Sequence, residues 1–190
     1  MRMKIPSSNL LDSWVKSVPS ISAVPSKNSA GDAAMLQSMG LSLASILGCV
    51  CLRYGYILCG EKHIRLLGGK NDACCSMLEI NGMDRGYSAI KNVLIAADTS
   101  EGGIFAVNCS GKTGADIGEI LYLPVNSITW ERLDIGYADF AKWAIMATEA
   151  DLVSGRWIEN PAQIFSMQRA DAVLKGKIGV LKSFGETGGE

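Results

Sequence analysis

The chain has 190 residues, with 18 Lys and Arg against 19 Asp and Glu, one His, and a formal net charge of −1. Hydrophobic residues make up 48% and charged residues 19%, a balance typical of a globular chain, so an intrinsically disordered chain is excluded. A near-neutral charge argues against a nucleic-acid binder, because phosphate binding needs clustered Lys and Arg.

The longest apolar run covers residues 41–52 and ends at Arg53. A helix that spans a bilayer needs about 20 apolar residues, so this run predicts no membrane span. The start of the chain has basic residues but no continuous apolar segment before Asp12. We therefore expect no secretory signal and a cytoplasmic location.

Two helices are predicted in the first forty residues. Residues 9–16 place apolar side chains at helical spacing, and residues 32–39 are helix formers that end at Gly40. The candidate caps of the first helix are two serines, Ser7 and Ser8. Residues 17–31 carry two prolines and five serines, which predicts an extended loop outside the core.

The middle of the chain predicts a central, mostly antiparallel sheet of roughly six to eight short strands. Its loops are of hairpin length, and parallel neighbours would need crossovers of about a dozen residues. Three strands are predicted within residues 45–69, and four more at residues 93–97, 104–108, 119–123 and 127–131.

An amphipathic helix is predicted after the sheet. Its stripe at helical spacing consists of Tyr137, Phe140, Ala141, Ala144, Ile145 and the polar Thr148. A further helix over residues 160–174 starts with Asn and then Pro. Helices at the N- and C-terminal ends of a sheet predict the α+β class. We expect one domain over residues 1–150 and a divergent, partly helical extension over residues 151–190.

Residues 106–113, AVNCSGKT, match a relaxed phosphate-binding loop in which Ala replaces the first Gly. In such a loop Lys112 would reach a phosphate and Thr113 would hold magnesium. A phosphate-binding loop opens a helix, whereas a glycine-rich stretch and a β-like segment follow here. We therefore favour a hairpin loop, keep Gly111, Lys112 and Thr113 as weak cofactor-binding candidates, and expect no cofactor.

The six cysteines predict reduced thiols, because no secretory signal is visible. Three of them, Cys49, Cys51 and Cys59, lie in apolar surroundings, where Cys acts as a small hydrophobe. The alternative is a zinc site formed by Cys49 and Cys51 together with Cys74 and Cys75. The spacing is not that of paired zinc knuckles, and we expect no metal.

Residues 98–139 hold seven acids and two bases. Solvated loop tips around a sheet explain this excess, and an acidic face for a basic partner is the alternative. The partner-binding candidates are Asp98, Glu101, Asp116 and Glu119. The single histidine, His63, is expected at the surface, so no catalytic residue is assigned.

Four motifs follow one another in the middle of the chain. They are IRLLGG at residues 64–69, ADxxxGGxFAxN at 97–108, GEILYL at 118–123, and W-E-x-L-x-x-G-Y-x-D-F-x-x-W-A at 130–144. In this order they resemble an uncharacterised bacterial family, domain-of-unknown-function family 2625. The likeness covers residues 33–145. The family has no established activity, so the resemblance implies no catalytic residues.

The succession of hairpin, glycine turn, aromatic strand and terminal helix more distantly resembles the SUKH superfamily. These α+β proteins include immunity proteins against bacterial toxins, so the resemblance implies protein binding. We favour a non-enzymatic cytoplasmic domain that binds a basic protein. The alternative is a nucleotide- or small-ligand-binding protein or enzyme that uses the loop at residues 111–113. The sequence leaves the oligomeric state open.

Overall fold

The computed structural model describes residues 6–59, 64–85, 90–110, 114–146 and 167–187. Within these ranges the helices are α1 (Ser7–Ser17), α2 (Ser29–Ser38), α3 (Ile46–Arg53), α4 (Met77–Ile80), α5 (Tyr137–Met146) and α6 (Met167–Thr187). The strands are β1 (Ile21–Pro25), β2 (Tyr54–Cys59), β3 (Ile64–Leu67), β4 (Val93–Thr99), β5 (Ile104–Asn108), β6 (Glu119–Leu123) and β7 (Glu131–Gly136).

The seven strands form one antiparallel sheet in the order β1 to β7, so each strand pairs with its neighbours along the chain. This meander is what short connections favour. The α+β class, with helices at the N and C termini, is confirmed. Strands β5 and β6 have the predicted bounds, and β4 runs two residues further than predicted.

Helices cover both faces of the sheet. Residues opposed across strands share a face, and one such row consists of Ile57, Leu66, Ala97, Phe105 and Tyr122. On this face Phe105 packs against Phe140 of α5, with ring centroids 4.7 Å apart. The next row contains Arg65, which pairs with Asp171 of α6 on the other face. Because both faces are covered, β4 and β5 are buried at every position and do not alternate.

The stripe predicted for α5 is confirmed, since its five apolar members, Tyr137, Phe140, Ala141, Ala144 and Ile145, are all buried. Thr148 and the predicted start of the last helix at residue 160 lie outside the described residues. Helix α6 begins at Met167 and ends at Thr187. Its buried residues Ala170 and Leu174 show that this part of the C-terminal region packs on the sheet.

Residues 46–53 are helical, so the prediction of three strands within residues 45–69 is wrong. The run is buried on nearly all sides, and a short buried helix lacks the period that separates it from a strand. The signal for a helix is its cap, because the Ser45 hydroxyl accepts a hydrogen bond from the Gly48 N–H at 3.0 Å. Cys49 and Cys51 are therefore buried on α3 and not on a strand.

One strand lies where none was predicted, and another lies further along the chain than predicted. Residues 21–25, predicted as loop, form the edge strand β1, where Pro25 and a bulge are tolerated because one side is unpaired. Residues 127–130 precede β7 instead of forming a strand. There the Ser127 hydroxyl accepts a hydrogen bond from the Thr129 N–H at 2.9 Å, which is a local turn.

Two helix starts also differ from prediction. Helix α1 has Pro6 at its N-cap, with no side-chain cap bond, so neither Ser7 nor Ser8 caps it. Helix α2 begins three residues earlier than predicted. Its cap is Asn28, whose side-chain oxygen accepts a hydrogen bond from the Gly31 N–H at 3.3 Å.

Among the described residues, no helix combines the length and the apolar content that a bilayer crossing demands.

The Tyr137 hydroxyl is buried and has no hydrogen-bond partner in the part of the chain that the structure describes. Tyr137→Phe removes this unsatisfied group, so we expect the free energy of unfolding to rise by about 1–2 kcal/mol in urea denaturation. Tyr54→Phe is the matched control, because the Tyr54 hydroxyl donates to Asp12 Oδ1 at 2.8 Å. The control should be destabilised by about 1 kcal/mol. Equal losses in both variants would contradict the assignment.

Burial raises the pKa of the Cys51 thiol from 9.0 to about 12, with smaller contributions from Asp32 and Cys49. Above pH 9 the unfolded thiol loses its proton while the folded one keeps it, so the free energy of unfolding falls as pH rises toward 12. We expect Cys51→Ala to show a shallower fall between pH 8 and 11 in urea denaturation. Parallel pH profiles for the two proteins would refute this expectation.

Candidate functional site

The four predicted partner-binding acids lie in three environments. Asp98 is on β4 with 1% of its surface exposed, so it contributes nothing to an acidic surface in this fold. Glu101 is in the β4–β5 turn and is partly buried. Asp116 and Glu119 lie together at the β5–β6 connection, where the Asp116 N–H donates to Glu119 Oε2 at 2.9 Å. The structure therefore brings two of the four together.

Asp98 forms a buried ion pair with Arg65, the residue opposite it on β3. The guanidinium donates from Nε to Oδ1 at 2.9 Å and from Nη2 to Oδ2 at 2.8 Å. Its Nη1 donates to Asp171 Oδ1 of α6 at 2.7 Å. The second oxygen of Asp171 accepts the Cys75 N–H at 2.7 Å. One fully buried cation thus connects two strands, a helix and a loop.

The charges of this network are held by its geometry. Burial by itself lowers the pKa of Arg65, but its bonds to Asp98 and Asp171 outweigh burial and raise it, so the guanidinium stays charged. Burial raises the pKa of Asp98, and the guanidinium opposes that rise. Every donor and acceptor described above is used within the network. Among the described residues the network links the sheet to α6 and to the loop at Cys75.

Other buried polar side chains also close loops. The Asn81 amide donates to the carbonyls of Met77 and Ile95, and its oxygen accepts the Ile95 N–H, each at 2.8 Å. Asn71 joins Gly55 to the following loop in the same way. In the described residues these groups point at backbone and not into a cavity.

Residues 114–119 form the end of the β5–β6 connection and the start of β6. Side chains from β5 and β7 bind this segment. The buried Asn108 amide donates to the carbonyls of Ala115 and Asp116 at 2.8 and 3.0 Å. Arg132 of β7 donates to the Gly114 carbonyl at 2.8 Å. Gly114 and Gly118 have φ of 73° and 93°, values that favour glycine. Residues 114–116 are therefore tied to β5 and β7 by side-chain hydrogen bonds.

Ile117 is the most exposed large apolar side chain in the described residues, at 74%. It lies in this segment, next to the exposed Asp116. Arg132 pairs with Glu119 at 3.2 Å and with Asp134 at 3.0 Å. With Asp116, the described residues here therefore include three acids and one cation. We call residues 114–119 with Arg132 and Asp134 the Ile117 surface. It combines an apolar tip with a net negative rim.

The cysteines predicted to fill the core do so, because Cys49, Cys51 and Cys59 are all buried. Cys74 and Cys75 are half-buried near Arg65 and α6, and burial raises the pKa of both thiols. Among the described residues, no group of three or more His, Cys, Asp and Glu is placed to hold a metal ion. The four cysteines of the alternative zinc site are thus not placed as a metal-binding group among the described residues.

A groove of about 340 Å³ lies beside Glu101, between α6 and the β6–β7 loop. Its walls are largely apolar and include Ile128 and Val180. At its base the Lys177 ammonium donates to the carbonyls of Gly102, Pro124 and Val125. Burial lowers the pKa of Lys177 to about 8. Because the three carbonyls occupy its donors, this lysine joins α6 to two loops.

The weak phosphate-loop candidates Gly111, Lys112 and Thr113 and the histidine His63 lie outside the described residues. The element that follows the loop is strand β6, as predicted, and not a helix.

The family model described as protein of unknown function DUF2625 matches residues 1–172. The chain belongs to this family. The match confirms the resemblance seen in the four motifs and extends it from residues 33–145 to both sides, into α6. Within the family motifs, Arg65, Asp98 and Asn108 have the structural roles described above.

The chain is also similar to the uncharacterised protein YbfG of Escherichia coli (strain K12), with 25% identity over 137 residues. The match covers 72% of this chain and 62% of that protein. No solved structure matches the chain significantly.

The sequence analysis missed Arg65, Asp171 and Ile117. A cation inside the apolar run IRLL, and an acid at the end of VLIAAD, were signals for a buried pair. Neither pattern names the partner, because pairing depends on strand register. The exposure of Ile117 has no sequence signal, since an isolated Ile in a polar loop predicts either burial or exposure.

Removal of one partner from the Arg65 network should leave a buried charge poorly compensated. We expect Asp98→Ala to lower the free energy of unfolding by about 3–5 kcal/mol in urea denaturation. The double variant Arg65→Met/Asp98→Leu should recover much of this loss. Asp134→Ala is the surface control, with an expected loss below about 1 kcal/mol. A double variant less stable than Asp98→Ala would show that the network has another role.

Proposed function

We propose that this chain is a non-enzymatic protein-binding domain whose Ile117 surface docks a basic partner. The observation that carries the proposal is a large apolar side chain, 74% exposed, on a loop held by Asn108 and Arg132. A rigid loop loses little conformational entropy on binding, so an exposed apolar tip on it is suited to recognition. Burial of an isoleucine contributes about 1.5–3 kcal/mol.

The charged residues around Ile117 favour a partner of one kind. Asp116, Glu119 and Asp134 outnumber Arg132 around the tip, which favours a partner with an apolar pocket ringed by Lys or Arg. Charges of this kind steer association and choose between partners more than they add affinity. The likeness to the SUKH superfamily extends the proposal to an immunity-like role, in which the basic partner is a toxin or nuclease.

A variant pair tests the surface. Wild type, Ile117→Asp and the control Ile128→Asp are used as bait in a crosslinking capture from lysate of the source cells. Ile128 is also an exposed isoleucine, at 54%, but it lies by the Glu101 groove. We expect one basic protein captured by wild type and the control, and reduced at least about tenfold with Ile117→Asp. Capture should weaken in about 0.5 M salt, which screens exposed charges.

The captured protein is then purified and its affinity for the three baits is measured. Equal affinity for wild type and Ile117→Asp would contradict the proposal, and so would capture that depends on Ile128 instead. Stabilisation of the chain by a nucleotide, lost in Lys112→Ala, would favour the small-ligand alternative. Circular dichroism of each variant shows that the fold is retained.

A further inference from the structure

Helix α6 rests on the sheet through a narrow stripe. Among its described side chains the buried apolar ones are Ala170, Leu174 and Ile178, spaced four residues apart. The side chains of α6 are described over residues 170–182, and three of these residues are buried, whereas α3 buries six of its eight residues. Leu181 packs against the core while remaining partly exposed, and polar attachments are made through Asp171 and Lys177. Few buried apolar contacts are a mark of a segment that opens at low free energy.

The helix is also intrinsically weak. Gly176 and Gly179 lie in its interior, and a Cβ added at either would meet nothing within 4 Å. Packing therefore gives no reason for glycine at these positions. Glycine in a helix interior favours the unfolded chain about fivefold over alanine. The two glycines thus weaken α6 without any compensating contact among the described residues.

Departure of α6 leaves the sheet without an unpaired charge. Arg65 keeps both hydrogen bonds to Asp98, because these are formed within the sheet. Asp171, whose side chain is 14% exposed in the docked helix, becomes hydrated when the helix leaves. The large penalty for a stranded buried charge is therefore avoided. Because Asp98 stays on the sheet and keeps Arg65 paired, α6 can undock and dock again without leaving a buried charge unpaired.

We propose that α6 opens as a unit while the sheet and the helices on its other face stay folded, uncovering the face that carries Arg65. This motion is a conformational device separate from the Ile117 surface. It turns one covered face of the sheet into an accessible one without global unfolding.

Hydrogen exchange of the full chain, followed by mass spectrometry, tests the proposal. We expect the amides of residues 170–182 to share one opening constant, at least about tenfold larger than that of β4 and β5. The Cys75 N–H lies outside α6 but donates to Asp171 of that helix, so its exchange should follow the exchange of the α6 amides. Equal constants for α6 and the sheet would overturn the proposal, because α6 would then open only on global unfolding.

Variants move the opening in both directions. Gly176→Ala should lower the α6 opening constant about fivefold, and Leu174→Ala should raise it at least about tenfold, with β4 and β5 unchanged. Ile57→Val, on the opposite face, is the control and should speed exchange of the sheet amides alone. Exchange in α6 that ignores both helix variants would overturn the proposal.

The thiols give a second readout. Cys109 is exposed, Cys74 and Cys75 lie at the α6 contact, and Cys49, Cys51 and Cys59 are buried in the core. With N-ethylmaleimide, labelling of Cys75 should slow in Gly176→Ala and speed up in Leu174→Ala, while Cys109 and Cys51 keep their rates. Labelling of Cys75 at one rate in all three proteins would count against opening of α6.

Discussion

A guanidinium with no access to solvent determines how this fold is assembled. Arg65 is fully buried, so its charge requires carboxylates, and these come from the opposite strand and from a helix 106 residues further along the chain. A slip of one residue between β3 and β4 would place Arg65 opposite Ala97 or Thr99, neither of which carries a carboxylate. The ion pair therefore specifies the register of the central strands and the position of α6, at a desolvation cost that apolar packing would avoid.

The other buried polar groups extend the same logic to the connections. Asn71, Asn81 and Asn108 use their amides to replace the backbone partners that strands lose where they end. These hydrogen bonds anchor the described ends of the connections, and in the described interior the Tyr137 hydroxyl is the buried side-chain group that lacks a partner. Surface loops positioned by a folded scaffold commonly carry binding residues.

Prediction from sequence succeeded where burial is one-sided or strands are joined by tight turns. The α5 stripe follows from its helical periodicity, and the bounds of β5 and β6 follow from the glycine and proline residues that flank them. It failed at residues 46–53, since a run buried all round has no period, and at β1, since an edge strand tolerates proline. Of the predicted site, Asp116 and Glu119 are at one surface, whereas Asp98 is in the core.

The sequence by itself determined the α+β class, the meander of the middle strands, the amphipathic α5 and the family, because these depend on local spacing and on motifs in a fixed order. Tertiary structure alone decided that Arg65 meets Asp98 and Asp171, that Ile117 faces outward, and that α6 covers the second face of the sheet. The physical reason is that burial and charge pairing depend on residues distant along the chain, whose approach no local pattern encodes.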